Sequence, residues 1–143
     1  MHASIQSFEH PENFPLSSSD AAQGFVTGGV RRMLRLEAFA AFAAAVAVYA
    51  HGGFSWPLFA LLFLAPDLAM LAYVGGPRGG AFVYNLAHNA ALALATTLAG
   101  FFGAAPFVAA AGLIWIAHIG FDRALGYGLK YSTHFRDTHL GRR

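Results

Sequence analysis

The chain has 143 residues, of which 57% are hydrophobic and 11% are charged, and its formal net charge is +2. A soluble domain has about 25% charged residues, so this composition excludes a domain that is surrounded by water. The absence of cysteine excludes a disulfide framework, a thiolate metal site and a cysteine nucleophile. Its basic residues lie at the ends of apolar runs, without the basic–aromatic clusters that stack bases, which favours anionic lipid headgroups over nucleic acid as a partner.

The N-terminal segment, residues 1–30, mixes proline, serine, asparagine and acidic residues without an apolar period. This pattern is typical of a flexible tail, and we predict that it lies in the cytoplasm.

Residues 31–127 contain four apolar runs, each near the 20 residues that a helix needs to cross a bilayer. The predicted spans are Leu34–Ala50, Phe54–Val74, Ala81–Phe102 and Ala105–Tyr127. Pro66 and Asp67 interrupt the second of them. Because the connections are short, we predict an all-α integral membrane protein, a four-helix bundle with up-down-up-down order. Residues 128–143 are polar and basic and are predicted to form a cytoplasmic tail at the headgroups.

All the basic residues lie on one side of the predicted membrane. They are Arg31, Arg32, Arg35, Arg78, Arg123, Lys130, Arg136, Arg142 and Arg143. The connections on the other side, His51–Ser55 and Gly103–Pro106, contain none. This positive-inside pattern places the N and C termini in the cytoplasm and the protein in an inner (plasma) membrane.

Small residues recur on the last two predicted spans. They are Ala87, Ala91, Ala95 and Ala99 on the third, and Gly112, Gly120, Ala124 and Gly128 on the fourth. Small residues at this spacing let helices approach closely in lipid, so we predict that these two spans pack together along those faces.

Several polar residues interrupt the apolar spans. They are Glu37, Asp67, Asn85, His88, His118 and Asp122. At 1.5 Å per residue, Asp67 and His88 lie about 10–12 Å from the cytoplasmic edge, and the others lie in the same half of the membrane. An ionisable side chain in a span costs about 2.5–3.5 kcal/mol, so we predict that they converge on the bundle interior.

Two imidazoles and several carboxylates in one layer favour a site for Zn, Fe or Mn. In this hypothesis His88, His118 and Asp67 ligate a divalent metal, and Asp122 or Glu37 acts as general base or orients a ligand. Asn85 and His139 are supporting residues. The site would act, by hydrolysis, on a lipid or another interfacial substrate.

Two other hypotheses remain open. His88 and His118 could be the axial ligands of a haem in a redox protein. Alternatively, the layer is a hydrogen-bonded network in a structural or accessory subunit of a membrane complex, with a membrane protein as partner.

The C-terminal tail offers further candidates. His134, Asp137 and His139 could ligate metal, although such a run is more often a solvated tail. Tyr127, Lys130 and Tyr131 are typical of residues that anchor a span at the interface.

Three stretches carry a family resemblance: MLRLEAFA, LFLAPDLAMLAYVGGPRGGAFVYNLAH and IWIAHIGFDRALGYGLKYSTHFRDTHLG. Over about Arg32–Arg143 the chain resembles the small bacterial membrane proteins of the DUF4260 family, whose function is unknown. The resemblance implies the membrane fold and a bacterial origin. It also places a set of residues on the motif positions: Glu37, Asp67, Asn85, His88, His118, Asp122, Arg123, Lys130 and His139. His134 is not among them.

Overall fold

The computed structural model describes Gly24, residues 26–133 and residues 135–142. Most of the predicted N-terminal tail therefore lies outside the described residues. The described part is mostly helical, with five α-helices, one 3₁₀ helix and a pair of two-residue strands. In chain order these are α1 (Gly28–His51), α2 (Trp56–Phe63), the 3₁₀ helix (Ala65–Gly75), α3 (Pro77–Ala87), α4 (Ala90–Phe102), α5 (Pro106–Leu125), β1 (Asp137–Thr138) and β2 (Gly141–Arg142).

The first predicted span is longer than expected. Helix α1 begins at Gly28 and has 24 residues, so it is about 36 Å long and includes Arg31 and Arg32, which precede the predicted span. It ends where Gly52 follows His51, and the Gly52 amide donates to the Val48 carbonyl. The basic turn and the apolar span therefore form one continuous helix.

The second predicted span changes its helix type at Pro66. The Ser55 hydroxyl accepts a hydrogen bond from the Leu58 amide and caps α2, which ends at Phe63. From Ala65 the chain is a 3₁₀ helix, in which the Asp67 amide donates to the Leu64 carbonyl. Proline has no amide hydrogen, so the α-helical bond at this point is missing and the tighter helix follows. The interruption predicted at Pro66 and Asp67 is confirmed.

The third predicted span is not one continuous helix. It is broken between α3 and α4 at His88 and Asn89, and the Asn89 side chain accepts hydrogen bonds from the amides of Ala91 and Leu92. Asparagine is a strong N-cap because its side-chain oxygen satisfies the amides that begin a helix. The prediction of an unbroken helix over residues 81–102 was wrong.

The break also changes which face of this segment is buried. The predicted stripe residues Ala91, Ala95 and Ala99 are exposed. The buried side chains of α4 are Ala93 and Thr97. The stripe was predicted on the assumption that α3 and α4 form one helix. Because the helix is broken, the residues of α4 that would continue the stripe face outward instead.

Helix α5 is the centre of the assembly and packs against α1, α2 and α4. A Cβ on Gly112 would lie 2.5 Å from the Thr97 amide nitrogen, and a Cβ on Gly120 would lie 2.8 Å from the Phe42 amide nitrogen. Glycine at these positions is what allows α4 and α1 to approach so closely. The predicted close packing of the last two spans is confirmed, although α4 uses other residues for it.

Within the described residues, three helical segments are long and apolar enough to cross a membrane: Gly28–His51, Trp56–Gly75 and Pro106–Leu125. Helices α3 and α4 have 11 and 13 residues, so neither reaches the length of a span alone. The predicted bundle of four continuous helices is thus three continuous helical segments and one in two halves. Large apolar side chains remain exposed on this assembly, among them Leu61, Leu71 and Phe102.

The C-terminal tail is an ordered part of the described fold. Strands β1 and β2 pair antiparallel, and Lys130 forms a further bridge with Thr138. The Val26 amide donates to the His139 carbonyl, which joins the tail to the approach to α1. The tail therefore packs back on the helical assembly beneath α3 and α5.

Candidate metal centre

Four of the predicted polar side chains meet at one point. Asp67 comes from the first turn of the 3₁₀ helix, and His88 comes from the break between α3 and α4. His118 and Asp122 are four residues apart on α5 and so share one face of that helix. Each offers one nitrogen or oxygen atom, and these four atoms all lie within 4.8 Å of one another. The predicted convergence is confirmed for these four residues.

The distances between these atoms are short. His88 Nε2 lies 3.1 Å from His118 Nε2, 3.7 Å from Asp67 Oδ1 and 3.5 Å from Asp122 Oδ2. His118 Nε2 lies 3.6 Å from Asp67 Oδ1 and 3.7 Å from Asp122 Oδ2. Ligand atoms that lie about 2.0–2.1 Å from a tetrahedral ion are separated from one another by about 3.3 Å, which is close to these interatomic distances.

The orientation of His88 is fixed by the backbone of α3. Its Nδ1 lies 2.9 Å from the Tyr84 carbonyl oxygen, and its ring stacks on the Tyr84 ring at 3.8 Å. Because a carbonyl only accepts, Nδ1 is assigned the proton and Nε2 presents its lone pair to the cluster. A backbone carbonyl that holds a histidine in this way is typical of metal-ligating imidazoles.

His118 is held by the end of α2. The Phe63 ring meets its imidazole edge-on at 5.4 Å. His118 Nδ1 is buried and has no hydrogen-bond partner among the described residues. With the proton on Nδ1, Nε2 would face the cluster as a second lone pair.

The break beside His88 leaves helix carbonyls without helical partners, and side chains of α5 bind them. Trp115 Nε1 donates to the Ala87 carbonyl. Arg123 Nη2 donates to the His88 carbonyl at 3.4 Å. Unpaired backbone groups are costly away from water, so these two bonds make the break tolerable.

The cluster is buried on its histidine side and open on its carboxylate side. The side chains of His88 and His118 are 5% and 1% exposed, whereas those of Asp67 and Asp122 are 38% and 15% exposed. A cavity of about 840 Å³ begins at these two carboxylates. This cavity therefore reaches the cluster at its two acids.

The structure does not bring Glu37 to the cluster. Glu37 is exposed on α1 and lines a separate cavity of about 360 Å³, which Arg123 and His139 also line. The prediction counted depth along a predicted span, and depth does not specify on which side of the helix a residue lies. Of the two residues predicted as general base, Asp122 lies at the cluster and Glu37 does not.

Asn85 and His139 hold the C-terminal tail rather than the cluster. Asn85 Nδ2 donates to the Lys130 carbonyl at 2.8 Å, and its Oδ1 accepts from the Lys130 amide at 2.7 Å. His139 Nδ1 accepts from the Leu129 amide at 2.9 Å. Burial and the positive charge of Arg123 lower the pKa of His139, which keeps this ring neutral.

Asp137, another tail candidate, is not among the residues of the cluster. Asp137 Oδ2 accepts a hydrogen bond from the Thr133 hydroxyl. His134 lies outside the described residues.

Tyr84 and Lys130 were not predicted as parts of the site. The Tyr84 hydroxyl lies 3.5 Å from Asp122 Oδ2, and its ring covers His88. Lys130, predicted as an interface anchor, is 8% exposed, and its Nζ donates to the Phe135 carbonyl and lies 4.0 Å from the Phe135 ring centroid. Burial lowers the pKa of Lys130, and Asp122 opposes that shift. The spacing of Tyr84 and His88, one helical turn, was a signal for the first contact.

The haem hypothesis does not fit this geometry. Two axial histidines place their nitrogens about 4 Å apart on opposite faces of a porphyrin. Here the two Nε2 atoms are 3.1 Å apart, and carboxylate oxygens lie where the macrocycle would be.

Comparisons with known proteins agree with the family resemblance of the sequence. No curated protein and no solved structure matches the chain. The family described as "Domain of unknown function (DUF4260)" matches residues 31–142, which include all four residues of the cluster, and the chain belongs to that family.

Proposed function

We propose that this protein is a membrane enzyme with one divalent metal ion held by His88, His118, Asp67 and Asp122. The observation that carries the proposal is chemical. His88 Nδ1 lies on the Tyr84 carbonyl, and with the proton of His118 on its Nδ1 the cluster would present two imidazole lone pairs and two carboxylates to a common centre. Four acceptors with no donor between them repel one another unless a cation lies among them.

The donor set limits the identity of the cation. Two imidazoles with two carboxylates suit Zn²⁺, Fe²⁺ or Mn²⁺, and the spacing near 3.3 Å suits tetrahedral Zn²⁺. Such an ion polarises a substrate oxygen and activates water for hydrolysis. Asp67 is the ligand that can move to admit a substrate, because its side chain is the most exposed of the four. Asp122, beside the Tyr84 hydroxyl, is the residue placed to accept a proton.

The alternative is a purely structural network. The His88 to His118 distance of 3.1 Å is also a hydrogen-bond length, and protons in place of the metal would neutralise the acids. In this alternative the protein is an accessory subunit, and its polar layer fixes helix packing. A buried network of this kind needs no opening, whereas the cavity leads directly to the carboxylates.

We also propose how the chain lies in the membrane. Helix α1, the segment 56–75 and α5 each cross it, and α3 with α4 crosses it as a broken fourth span. Arg78, at the start of α3, then lies on the same side as the arginines of α1 and the C-terminal tail, which the positive-inside rule assigns to the cytoplasm of a bacterial cell. The metal centre would lie in the cytoplasmic half of the inner membrane.

The metal content of protein purified in detergent tests the proposal. We expect one equivalent of Zn, Fe or Mn per chain by mass spectrometry, and loss of that metal in His88→Ala and in His118→Ala. His51→Ala is the matched control, since His51 is exposed at the end of α1 and is not among the residues of the cluster. Circular dichroism checks that each variant is folded.

A second measurement distinguishes the metal hypothesis from the structural network. A metal-free protein should gain about 4 kcal/mol of stability when the ion is present at a thousandfold excess over its Kd. Wild-type protein that takes up none of the three metals and keeps its thermal stability in chelator would support the structural network and end the metal hypothesis.

A further inference from the structure

The cavity that begins at the metal centre has walls of two kinds. One wall is apolar and comes from the 3₁₀ helix, and the other carries basic residues of the C-terminal tail. Its volume of about 840 Å³ is in the upper part of the range for small-molecule sites. The two walls meet at the carboxylates of Asp67 and Asp122.

The apolar wall continues onto the outer surface of the protein. Leu64, Leu68 and Leu71 line the cavity and are 61%, 66% and 69% exposed. In a 3₁₀ helix residues three apart lie directly above one another, so Leu68 and Leu71 form a straight apolar row beside Asp67. These side chains belong to a segment apolar enough to span a membrane, so the cavity opens sideways toward lipid chains.

The basic wall lies at the level of the tail. Lys130 and Arg136 both line the cavity. Their two positive charges balance the negative charges of Asp67 and Asp122, so the cavity is neutral without an ion. A bound divalent metal adds two positive charges, and only then does the cavity attract an anion.

We propose that the cavity binds a phosphate-bearing lipid as substrate, which rests on the metal centre proposed above. The phosphate group lies between the metal and the side chains of Arg136 and Lys130, and an acyl chain lies along Leu64, Leu68 and Leu71. A phosphate dianion matches the two surplus charges of the metal-loaded cavity, and an acyl chain matches a wall that faces lipid. One class of ligand, an amphiphile with a doubly charged headgroup, would therefore contact both walls.

Binding of a fluorescent phosphatidic acid to purified protein in phosphatidylcholine nanodiscs tests this inference. We expect saturable binding to the Zn²⁺-loaded protein and at least about tenfold weaker binding to the chelated protein, because removal of the ion returns the cavity to neutrality. Arg136→Gln should weaken binding about fivefold, the effect of one exposed charge pair. Arg78→Gln, an exposed arginine outside the cavity, is the control and should bind as the wild type does.

Two further probes separate the parts of the ligand. Leu68→Asp should abolish binding of the lipid while metal content stays at one equivalent, since Leu68 is not a ligand. Inorganic phosphate should not displace the lipid, because it lacks the acyl chain.

The outcomes distinguish this inference from the metal hypothesis. If the protein binds metal but prefers phosphatidic acid no more than a fluorescent phosphatidylcholine, the lipid inference is overturned and the metal centre stands. If inorganic phosphate displaces the probe fully, the substrate is a water-soluble phosphate. If no metal binds at all, both proposals fall, and the metal measurement alone reveals it.

Discussion

Asn85→Ala removes the side chain that fixes the C-terminal tail. On one edge of the segment 129–131, the Tyr131 amide donates to the Asp137 carbonyl, and the Leu129 carbonyl accepts from the His139 amide. Backbone groups alternate in direction along an extended chain, so the amide and carbonyl of Lys130 point to the other edge. The Asn85 side chain binds both of them there.

The size of the effect follows from these two bonds. A typical hydrogen bond contributes about 1 kcal/mol, and a buried group left unpaired costs about 1–3 kcal/mol. Lys130 is buried, so water cannot easily replace the lost amide. We expect docking of the tail to lose about 2–4 kcal/mol in Asn85→Ala. Asn85→Asp keeps the acceptor for the Lys130 amide but sets a carboxylate against the Lys130 carbonyl, so it should not restore docking.

Limited proteolysis of the tail in detergent measures this opening. A loss of 2 kcal/mol raises the open population about 30-fold, and the cleavage rate should rise with it when closing is faster than cleavage. Thr96→Ala is the control, because it removes an exposed bond to the Leu92 carbonyl within α4. Equal cleavage rates in wild type and Asn85→Ala would show that the tail is held by other contacts and would refute the reasoning.

Three other predictions concern packing, pH and the helix break. Gly112→Ala should destabilise the protein by about 1–3 kcal/mol, because its Cβ would lie 2.4 Å from a side-chain oxygen of α4. A Cβ on Gly79 has no neighbour within 4 Å, so Gly79→Ala is the control and should unfold thermally as the wild type does. Because the pKa of His139 is lowered in the folded protein, its contribution to tail docking is present above the unfolded pKa near 6.5 and is lost as the pH falls below that value. Tail cleavage should therefore accelerate on acidification. His139→Gln should remove part of that pH dependence. Trp115→Phe leaves the carbonyl of Ala87 without its donor and should lower the free energy of unfolding by about 1–3 kcal/mol, read from thermal unfolding in the same detergent.

The cluster could be predicted because lipid constrains charge so strongly. Counting residues along the predicted spans places Asp67, His88, His118 and Asp122 in one half of the predicted membrane, and such groups are expected to turn inward. The same count places Glu37 in that half, but Glu37 lies on α1, whose 24 residues are mostly exposed, and it lines another cavity. Depth follows from counting residues, whereas direction depends on how each helix is rotated in the assembly.

The local sequence signals the helix break only weakly, through the N-cap residue Asn89. No proline or glycine stands at residues 87–90, and alanine and leucine on both sides favour a continuous helix. The groups that bind the freed carbonyls come from α5, more than 25 residues later in the chain. Tertiary contacts therefore override the helical preference of the flanking alanine and leucine residues. The predicted alanine stripe was wrong because it assumed one helix across the break.

The departures from regular α-helix serve the same site. At Pro66 the change to a 3₁₀ helix directs the Asp67 amide to Leu64, and Asp67 Oδ1 lies 3.7 Å from His88 Nε2 and 3.6 Å from His118 Nε2. At the break, the Tyr84 carbonyl accepts from both the His88 amide and its ring, so the imidazole folds back over Tyr84. One departure thus contributes a carboxylate to the cluster, and the other sets the direction of a histidine. A network that served only to join helices would gain nothing from two interrupted helices at one level, whereas a metal centre needs both imidazoles aimed at a single point.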